Sequence, residues 1–124
     1  MKLTNTRRMV GNNGEQETAR WLSSQGFRIY ERNYRTRQGE IDIIAEKDNT
    51  VCFIEVKARR HNYFHLSELI TPTKQHKIVQ TAIHYIATQP HIIDKIYRFD
   101  VALVEGNVPD LHITYIPHAF NAPD

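Results

Sequence analysis

A carboxylate and an ammonium group stand two residues apart in the segment CFIEVKARR, residues 52–60. Apolar residues alternate around them with a period of two, which is typical of a β-strand and places Glu55 and Lys57 on one face with Phe53. Burying a charge is costly unless the charge is paired or bound to a metal. The two residues are therefore either open to water or placed there for chemistry.

A second acidic pair, Glu40 and Asp42, lies in the preceding predicted strand, GEIDIIAE, residues 39–46. Alternation predicts that these two share a face, with Ile41 and Ile43 on the other. The short link KDNT contains Asp and Asn as turn formers, so the two strands are predicted to form an antiparallel hairpin. Such a hairpin would bring Asp42 close to Glu55 on one side of the sheet.

This arrangement suits a divalent cation. Two carboxylates brought close together repel each other unless a proton or a cation intervenes. Oxygen ligands of this kind suit Mg²⁺ or Mn²⁺, so Asp42 and Glu55 are the candidate metal ligands. Lys57 beside them would hold a water or stabilise charge developing on phosphate. Glu15, on the inward stripe of the first predicted helix, is a further candidate.

Each of these residues also has an ordinary structural interpretation. Glu15 taken alone fits the first turn of a helix, where the macrodipole favours an acid. Glu40 taken alone fits an exposed strand start, and Glu55 and Lys57 could face solvent or pair at little benefit. A purely structural role is harder to assign to Asp42, because Asp is a poor strand former. The combination is more specific than any one of its members.

Length and composition limit the class of protein to which the chain can belong. The chain has 124 residues with 40% hydrophobic and 24% charged content, as expected of one globular domain over residues 1–124 with irregular ends at 1–10 and 118–124. A single cysteine, Cys52, excludes an internal disulfide and indicates a small core residue. No signal peptide or membrane span is predicted, so a cytoplasmic protein is expected. Seven histidines without clustered partners do not indicate a zinc site.

Positive charge is concentrated although the net charge is only +2. Either the clusters are solvated strand ends, or they form a surface for a polyanion such as nucleic acid, and composition does not decide between the two. The first cluster contains Arg28, Arg32, Arg35 and Arg37, and the second contains Lys57, Arg59, Arg60 and His61.

The order of predicted elements is αβββαββ. A helix over 12–25, capped by Asn12 or Asn13 and ended by Gly26, is followed by strands at 27–35, 39–46 and 51–59. A loop at 61–71 leads to a second helix with Thr71 as N-cap, and strands follow at 97–105 and 111–116. Helices and strands mixed in so short a chain predict an α/β domain in which helices flank one sheet.

The segments GEID and FIEVKAR, together with an upstream helix glutamate, resemble the PD-(D/E)xK nuclease superfamily. More closely, the chain resembles the uncharacterised YraN-type family, akin to archaeal Holliday-junction resolvases, from about Gly11 to Phe120, with KQHKIVQTA, RFDVALV and AFN as further family blocks. The resemblance implies a restriction-endonuclease-like fold with a mixed central sheet. It implies metal carboxylates at Asp42 and Glu55, a motif lysine at Lys57, a helix acid at Glu15 and a basic residue at Lys74.

Two residues depart from the pattern of that family. Thr18 stands where alanine is usual, and His65 stands where a glycine commonly follows the aromatic residue.

The expected function is that of a Mg²⁺- or Mn²⁺-dependent DNA endonuclease-like protein that reads shape rather than sequence. The alternatives are a non-catalytic nucleic-acid-binding module of the same fold and an adaptor that uses an edge strand to bind proteins. DNA is the expected partner, no membrane is expected, and a homodimer is left open. The candidate nucleic-acid contacts are Arg35, Arg37, Arg59, Arg60 and Lys74.

Overall fold

The structure, a computed structural model, describes residues 6–58, 70–106 and 110–122, with side chains from Gly14 onward. The candidate residues Arg59, Arg60 and His65 lie outside the described residues. The elements are α1 (Thr6–Ser24), β1 (Arg28–Arg35), β2 (Glu40–Lys47), β3 (Thr50–Ala58), α2 (Pro72–Thr88), a 3₁₀ turn (Pro90–Ile92), β4 (Ile96–Glu105) and β5 (His112–Phe120).

The strands form one five-stranded sheet in the order β1-β2-β3-β4-β5. β3 and β4 run parallel, and the other neighbours run antiparallel, so the sheet is mixed. This confirms the predicted α/β class and the order αβββαββ. Of the helices in the described part of the chain, none has the length and hydropathy that crossing a membrane requires.

Two apolar clusters cover the two faces of the sheet. Phe53 of β3 packs with residues of α2, whereas Cys52 and Ile54 pack in a second cluster with Leu22 of α1. This split confirms the alternation predicted for β3. Glu55 and Lys57 share the parity of Phe53 and therefore belong to the α2 face.

The β2–β3 hairpin turn forms as predicted. Asp48 and Asn49 both have positive φ, 51° and 63°, between the paired residues Lys47 and Thr50. Two positive φ angles in a two-residue loop match the right-handed twist of the strands, and Asp and Asn tolerate them better than most residues.

Helix α1 begins at Thr6, so the predictions of an irregular segment at 1–10 and of a cap at Asn12 or Asn13 are wrong for the described residues. Asparagine and glycine have low helix propensity, but propensity is a weak constraint that tertiary packing overrides. A Cβ on Gly14 would lie 3.3 Å from Cγ1 of Val104, so glycine allows α1 to lie close to the sheet. The end of α1 was predicted correctly, with Gly26 at φ +93°.

Thr18, which departs from the pattern of the resembled family, is fully buried in α1. Its hydroxyl donates a hydrogen bond of 2.7 Å to the carbonyl oxygen of Gly14. Because this bond satisfies the buried hydroxyl, the departure from the family pattern is accommodated within one helical turn.

Helix α2 has Thr71 as its N-cap, and the Thr71 hydroxyl accepts a hydrogen bond from the Lys74 amide, as the sequence predicts. The apolar residues at positions 78, 79, 82, 83 and 86 predict the buried face of α2, and this prediction is only partly right. Ile83 is 54% exposed, whereas Thr81 and Tyr85 are buried. Residues 78, 81, 82 and 85 lie on one stripe at i, i+3, i+4 and i+7, and this stripe, rather than the most hydrophobic one, faces the sheet.

Strand β5 extends to Phe120, so the prediction of an irregular end from residue 118 is wrong for the described residues. Opposite Phe99 and Val101 the register shifts by two residues, and the extra residues form a bulge at Pro117 and His118, where φ of His118 is 55°. Pro117 lacks an amide hydrogen and is tolerated because β5 is an edge strand.

A buried carboxylate ties this bulge to the sheet. Asp100 is fully buried and accepts two hydrogen bonds from Arg98, at 2.8 and 2.9 Å. The Tyr115 hydroxyl and the His118 amide also donate to Asp100. Four donors around one carboxylate offset the cost of burying its charge.

We expect Asp100→Ala to lower the free energy of unfolding by about 3 kcal/mol, because it leaves three donor groups without their buried acceptor. Asp94→Ala, which removes an exposed carboxylate near the start of the same strand, should change it by less than about 0.5 kcal/mol. Urea unfolding followed by circular dichroism measures both. Equal destabilisation by the two variants would contradict a role for Asp100 in fixing β5.

Candidate functional site

The hairpin changes its geometry at Asp42. Regular pairing of β2 with β3 begins only at Ile43 and Ile54. Before that point, Oδ2 of Asp42 accepts a hydrogen bond of 2.7 Å from the amide of Val56, so a side chain replaces a backbone carbonyl in the ladder. The prediction that Ile41 and Ile43 share a face is wrong, because Ile41 packs in the α2-side cluster and Ile43 in the α1-side cluster.

A cavity of about 490 Å³ opens where this part of the hairpin meets the start of α2. Its walls come from the turn before β2, from the start of β2, from β3 and from the first two turns of α2. The charged lining residues are Glu40, Asp42, Glu55, Lys57, Lys74 and Lys77. Three of the four predicted catalytic residues and one predicted nucleic-acid contact therefore line one cavity.

Asp42 and Glu55 lie close together in the lining of this cavity. Glu55 is 5% exposed, and Asp42 is half-buried. Burial, followed by the charge of Glu55 and a hydrogen bond with it, raises the pKa of Asp42 to about 8. The bond from Val56 opposes this shift but does not cancel it. The pair thus holds a proton, or attracts a cation, at neutral pH.

Two lysines neutralise the pair. Nζ of Lys74 lies 2.7 Å from Oε2 of Glu55. Burial disfavours the ammonium form of Lys74, but its hydrogen bond with Glu55 and the charge of Glu55 outweigh burial and raise its pKa. Burial and the neighbouring charge of Lys74 lower the pKa of Lys57, although Glu55 and Asp42 partly offset them.

Glu15 approaches from α1 on the other side of the sheet. It is 7% exposed, and its Oε1 lies 3.4 Å from Nη2 of Arg32. Burial raises its pKa, and Arg32 offsets part of that effect. The charge of Glu15 also contributes to the raised pKa of Asp42. Glu15 thus lies close enough to Asp42 to act on the pair electrostatically.

The predicted arginine contacts differ in their surroundings. Nε of Arg35 lies 2.8 Å from Oε2 of Glu40, and both side chains are largely exposed, so this pair restrains Arg35 only weakly. Because Glu40 lines the cavity, Arg35 lies at its rim. Arg37 is exposed in the turn between β1 and β2. Arg59 and Arg60 directly follow the last described residue of β3.

The residues present fit a hard divalent cation. Asp42 and Glu55 supply carboxylate oxygens, and such cations are commonly bound through one or two carboxylates with waters and phosphate completing the shell. Among the residues that the structure describes, no three His, Cys, Asp or Glu side chains group to hold a metal by themselves. The carboxylate ligands would therefore be those of this pair.

The sequence did not indicate Lys77, Thr73 or Gly39 as parts of the site, yet all three line the cavity. A Cβ on Gly39 would lie 3.3 Å from Cβ of Lys77 and 3.4 Å from Oγ1 of Thr81, so glycine permits the turn to pack against α2. The spacing of Lys74 and Lys77, three residues apart on a helix, is a signal for a shared face. Only the docking of α2 shows which surface that face meets.

The fold and the site together define an α/β protein with a paired-carboxylate site between a β-hairpin and a helix. A model of the family described as Uncharacterised protein family UPF0102 matches residues 14–104, and the chain belongs to this family. It is 38% identical over 117 residues to a UPF0102 protein of Treponema pallidum (strain Nichols), covering 91% of this chain and 93% of that protein. A UPF0102 protein of Caldicellulosiruptor saccharolyticus is 41% identical over 117 residues, covering 92% and 98%.

We expect the stability of the metal-free protein to depend on pH through Asp42. The folded protein keeps a proton that the unfolded chain loses near the ordinary pKa of Asp, since the pKa of folded Asp42 is raised to about 8. The contribution is therefore fully present below about pH 4 and is lost as the pH rises toward 8, with a slope of up to about 1.4 kcal/mol per pH unit.

Urea unfolding in EDTA at several pH values between 4 and 9 measures this slope. Asp42→Asn keeps an acceptor for the Val56 amide but cannot ionise, so its stability should fall less steeply with pH. Asp94→Asn, at an exposed site, should retain the slope of the natural protein. If Asp42→Asn and the natural protein show parallel curves, the carboxylate pair does not hold the extra proton.

Proposed function

We propose that this protein is a metal-dependent nuclease-like member of the PD-(D/E)xK superfamily that cleaves phosphodiester bonds in DNA. The observation that carries the proposal is the Asp42–Glu55 pair, held beside Lys57 in a cavity that Lys74 and Lys77 also line. The hairpin, the mixed sheet and the helix that follows it suit the restriction-endonuclease-like fold. Kinship to the Holliday-junction resolvases belongs to the same proposal.

In this function Asp42 and Glu55 hold Mg²⁺ or Mn²⁺. The bound cation would supply a Lewis acid that lowers the pKa of a water and neutralises charge on phosphate. Lys57 would donate a hydrogen bond to the attacking water or to a phosphate oxygen whose negative charge grows in the transition state. The amide of Val56 fixes the Asp42 carboxylate, and Glu15 adds negative charge behind it.

The surroundings of the cavity suit a phosphate backbone. Lys74, Lys77 and the exposed Arg35 and Arg37 are of the kinds that contact phosphate oxygens. Phosphate contacts position nucleic acid without reading its sequence, so we infer recognition by shape, such as a branch, a flap or an end. DNA is the proposed substrate on the strength of the superfamily.

A non-catalytic DNA-binding module of the same fold is the second candidate. One observation favours it: the ion pair of Lys74 with Glu55 already neutralises one carboxylate without a metal. A protein that never turned over DNA could use this pair as a fixed structural element and bind phosphate with its remaining cations.

The affinity for DNA should depend steeply on salt. Neutralising phosphates releases condensed counterions, so a plot of log affinity against log salt should be a line with a negative slope. Arg37→Gln should make that slope shallower by about one unit, whereas Arg20→Gln, which removes an exposed arginine paired with Glu17 on α1, should leave it unchanged. Fluorescence anisotropy of a labelled branched DNA at several salt concentrations measures this. Affinity that does not vary with salt would instead favour the adaptor function.

Lys57→Met separates the enzyme from the binding module. An interaction made chiefly in the transition state lowers turnover when it is removed but leaves ground-state binding nearly intact. We therefore expect cleavage in Mn²⁺ to fall by roughly 10²–10³-fold with little change in affinity. Methionine keeps the length of the stem and removes the charge, so β3 should be preserved.

The measurement uses the same panel of branched and linear DNAs for cleavage and for binding. Lys77→Met is the matched control, because it removes the same charge from the same cavity. A natural protein that binds but cleaves no member of the panel, with a Lys57→Met variant that only binds less tightly, would exclude the nuclease and support the binding module.

A further inference from the structure

We infer that the Lys74 ammonium competes with the divalent cation for the Glu55 carboxylate. Lys74 forms an ion pair with Glu55 when no metal is bound, and metal binding must break this ion pair. This inference rests on the metal site of the proposed function and concerns how that site is filled. It assigns to Lys74 a role that differs from a simple phosphate contact.

The geometry of the ion pair carries the inference. Nζ of Lys74 lies 2.7 Å from Oε2 of Glu55, within direct hydrogen-bonding distance of a carboxylate that is almost entirely buried. A divalent cation held by Asp42 and Glu55 would share the Glu55 carboxylate with the Lys74 ammonium. Two cations beside one buried carboxylate repel each other, so metal binding would weaken or break the contact with Lys74.

The position of Lys74 on α2 allows it to leave. Its side chain is 42% exposed, so the ammonium group can move from Glu55 into the cavity and toward water. The backbone amide of Lys74 remains bonded to the hydroxyl of Thr71, so the helix start is held while the side chain moves. The displacement therefore needs a change of side-chain rotamer and no movement of the backbone.

The neighbouring carboxylates explain why a lysine at this position stabilises the metal-free protein. Asp42, Glu55 and Glu15 bring three carboxylates near one another, and burial together with the charges of Glu55 and Glu15 raises the pKa of Asp42. Lys74 neutralises part of this charge in the metal-free protein. The energetic consequence is that metal affinity is lower than the carboxylates alone would give, because breaking the Lys74–Glu55 pair is part of metal binding.

Calorimetric titration with Mn²⁺, without DNA and at fixed pH and salt, tests the inference. Lys74→Met should bind Mn²⁺ about tenfold more tightly than the natural protein, since no ion pair must be broken. Lys77→Met removes the same charge from the same cavity but leaves the Lys74–Glu55 pair, so it should gain much less. Lys74→Arg retains a cation that can reach Glu55 and should resemble the natural protein. Circular dichroism checks that each variant is folded.

The possible outcomes are distinct. Equal affinities for Lys74→Met and Lys77→Met would show a general charge effect and overturn the competition, while the metal site would stand. If Lys74→Met binds Mn²⁺ and the natural protein and the other variants do not, the ion pair of Lys74 prevents metal binding, and the competition is supported. If no variant binds Mn²⁺, the metal site fails, and both this inference and the proposed function fail with it. Tenfold tighter binding without cleavage of any DNA would support the competition and exclude the nuclease.

Discussion

The close approach of Asp42 and Glu55 is the constraint on which the rest of the site depends. Two carboxylates in a partly buried cavity repel each other unless a proton or cation lies between or beside them. The hairpin nevertheless holds them together, because the Val56 amide fixes Asp42 at 2.7 Å where the β2–β3 ladder stops. The neutralising charge comes from α2, whose first turns place Lys74 against Glu55. The site therefore exists only when the hairpin and the helix are docked.

The stability needed to hold like charges together comes from elsewhere in the molecule. Apolar clusters on both faces of the sheet bury residues such as Phe53 and Ile54 completely or almost so. The Asp100 network fixes the bulged end of β5, on the sheet edge opposite β1. Glycine at position 39 lets the turn before β2 approach α2 closely enough to close the cavity. The apolar clusters and the Asp100 network thus offset the electrostatic repulsion between Asp42 and Glu55, as expected where function and stability compete.

The features that local sequence determines were predicted well. The alternation of β3 separates Phe53 from Cys52, and the Asp48–Asn49 turn fixes the hairpin, because both depend on neighbouring residues. The break of alternation at Asp42 was not predictable, since it arises from a side chain that enters the ladder of another strand. The exposure of Ile83 and the bulge at His118 were missed for the same reason: each depends on the element packed against it. The pairing of Lys74 with Glu55 joins residues 19 positions apart and likewise needs the docked helix.

The mixed charge of the cavity, which three carboxylates and three lysines line, bears on the choice between enzyme and binding module. A surface that only binds DNA gains from cations, because each phosphate contact releases counterions. Two carboxylates beneath those cations oppose phosphate binding and also cost stability through their own repulsion. Lys74 can offset this cost at Glu55 but leaves Asp42 with a raised pKa. A strongly perturbed acid in a cleft is a feature of functional sites more often than of structural ones. The Asp42–Glu55 pair is therefore easier to explain if a divalent cation joins it to phosphate than if the cavity only holds DNA.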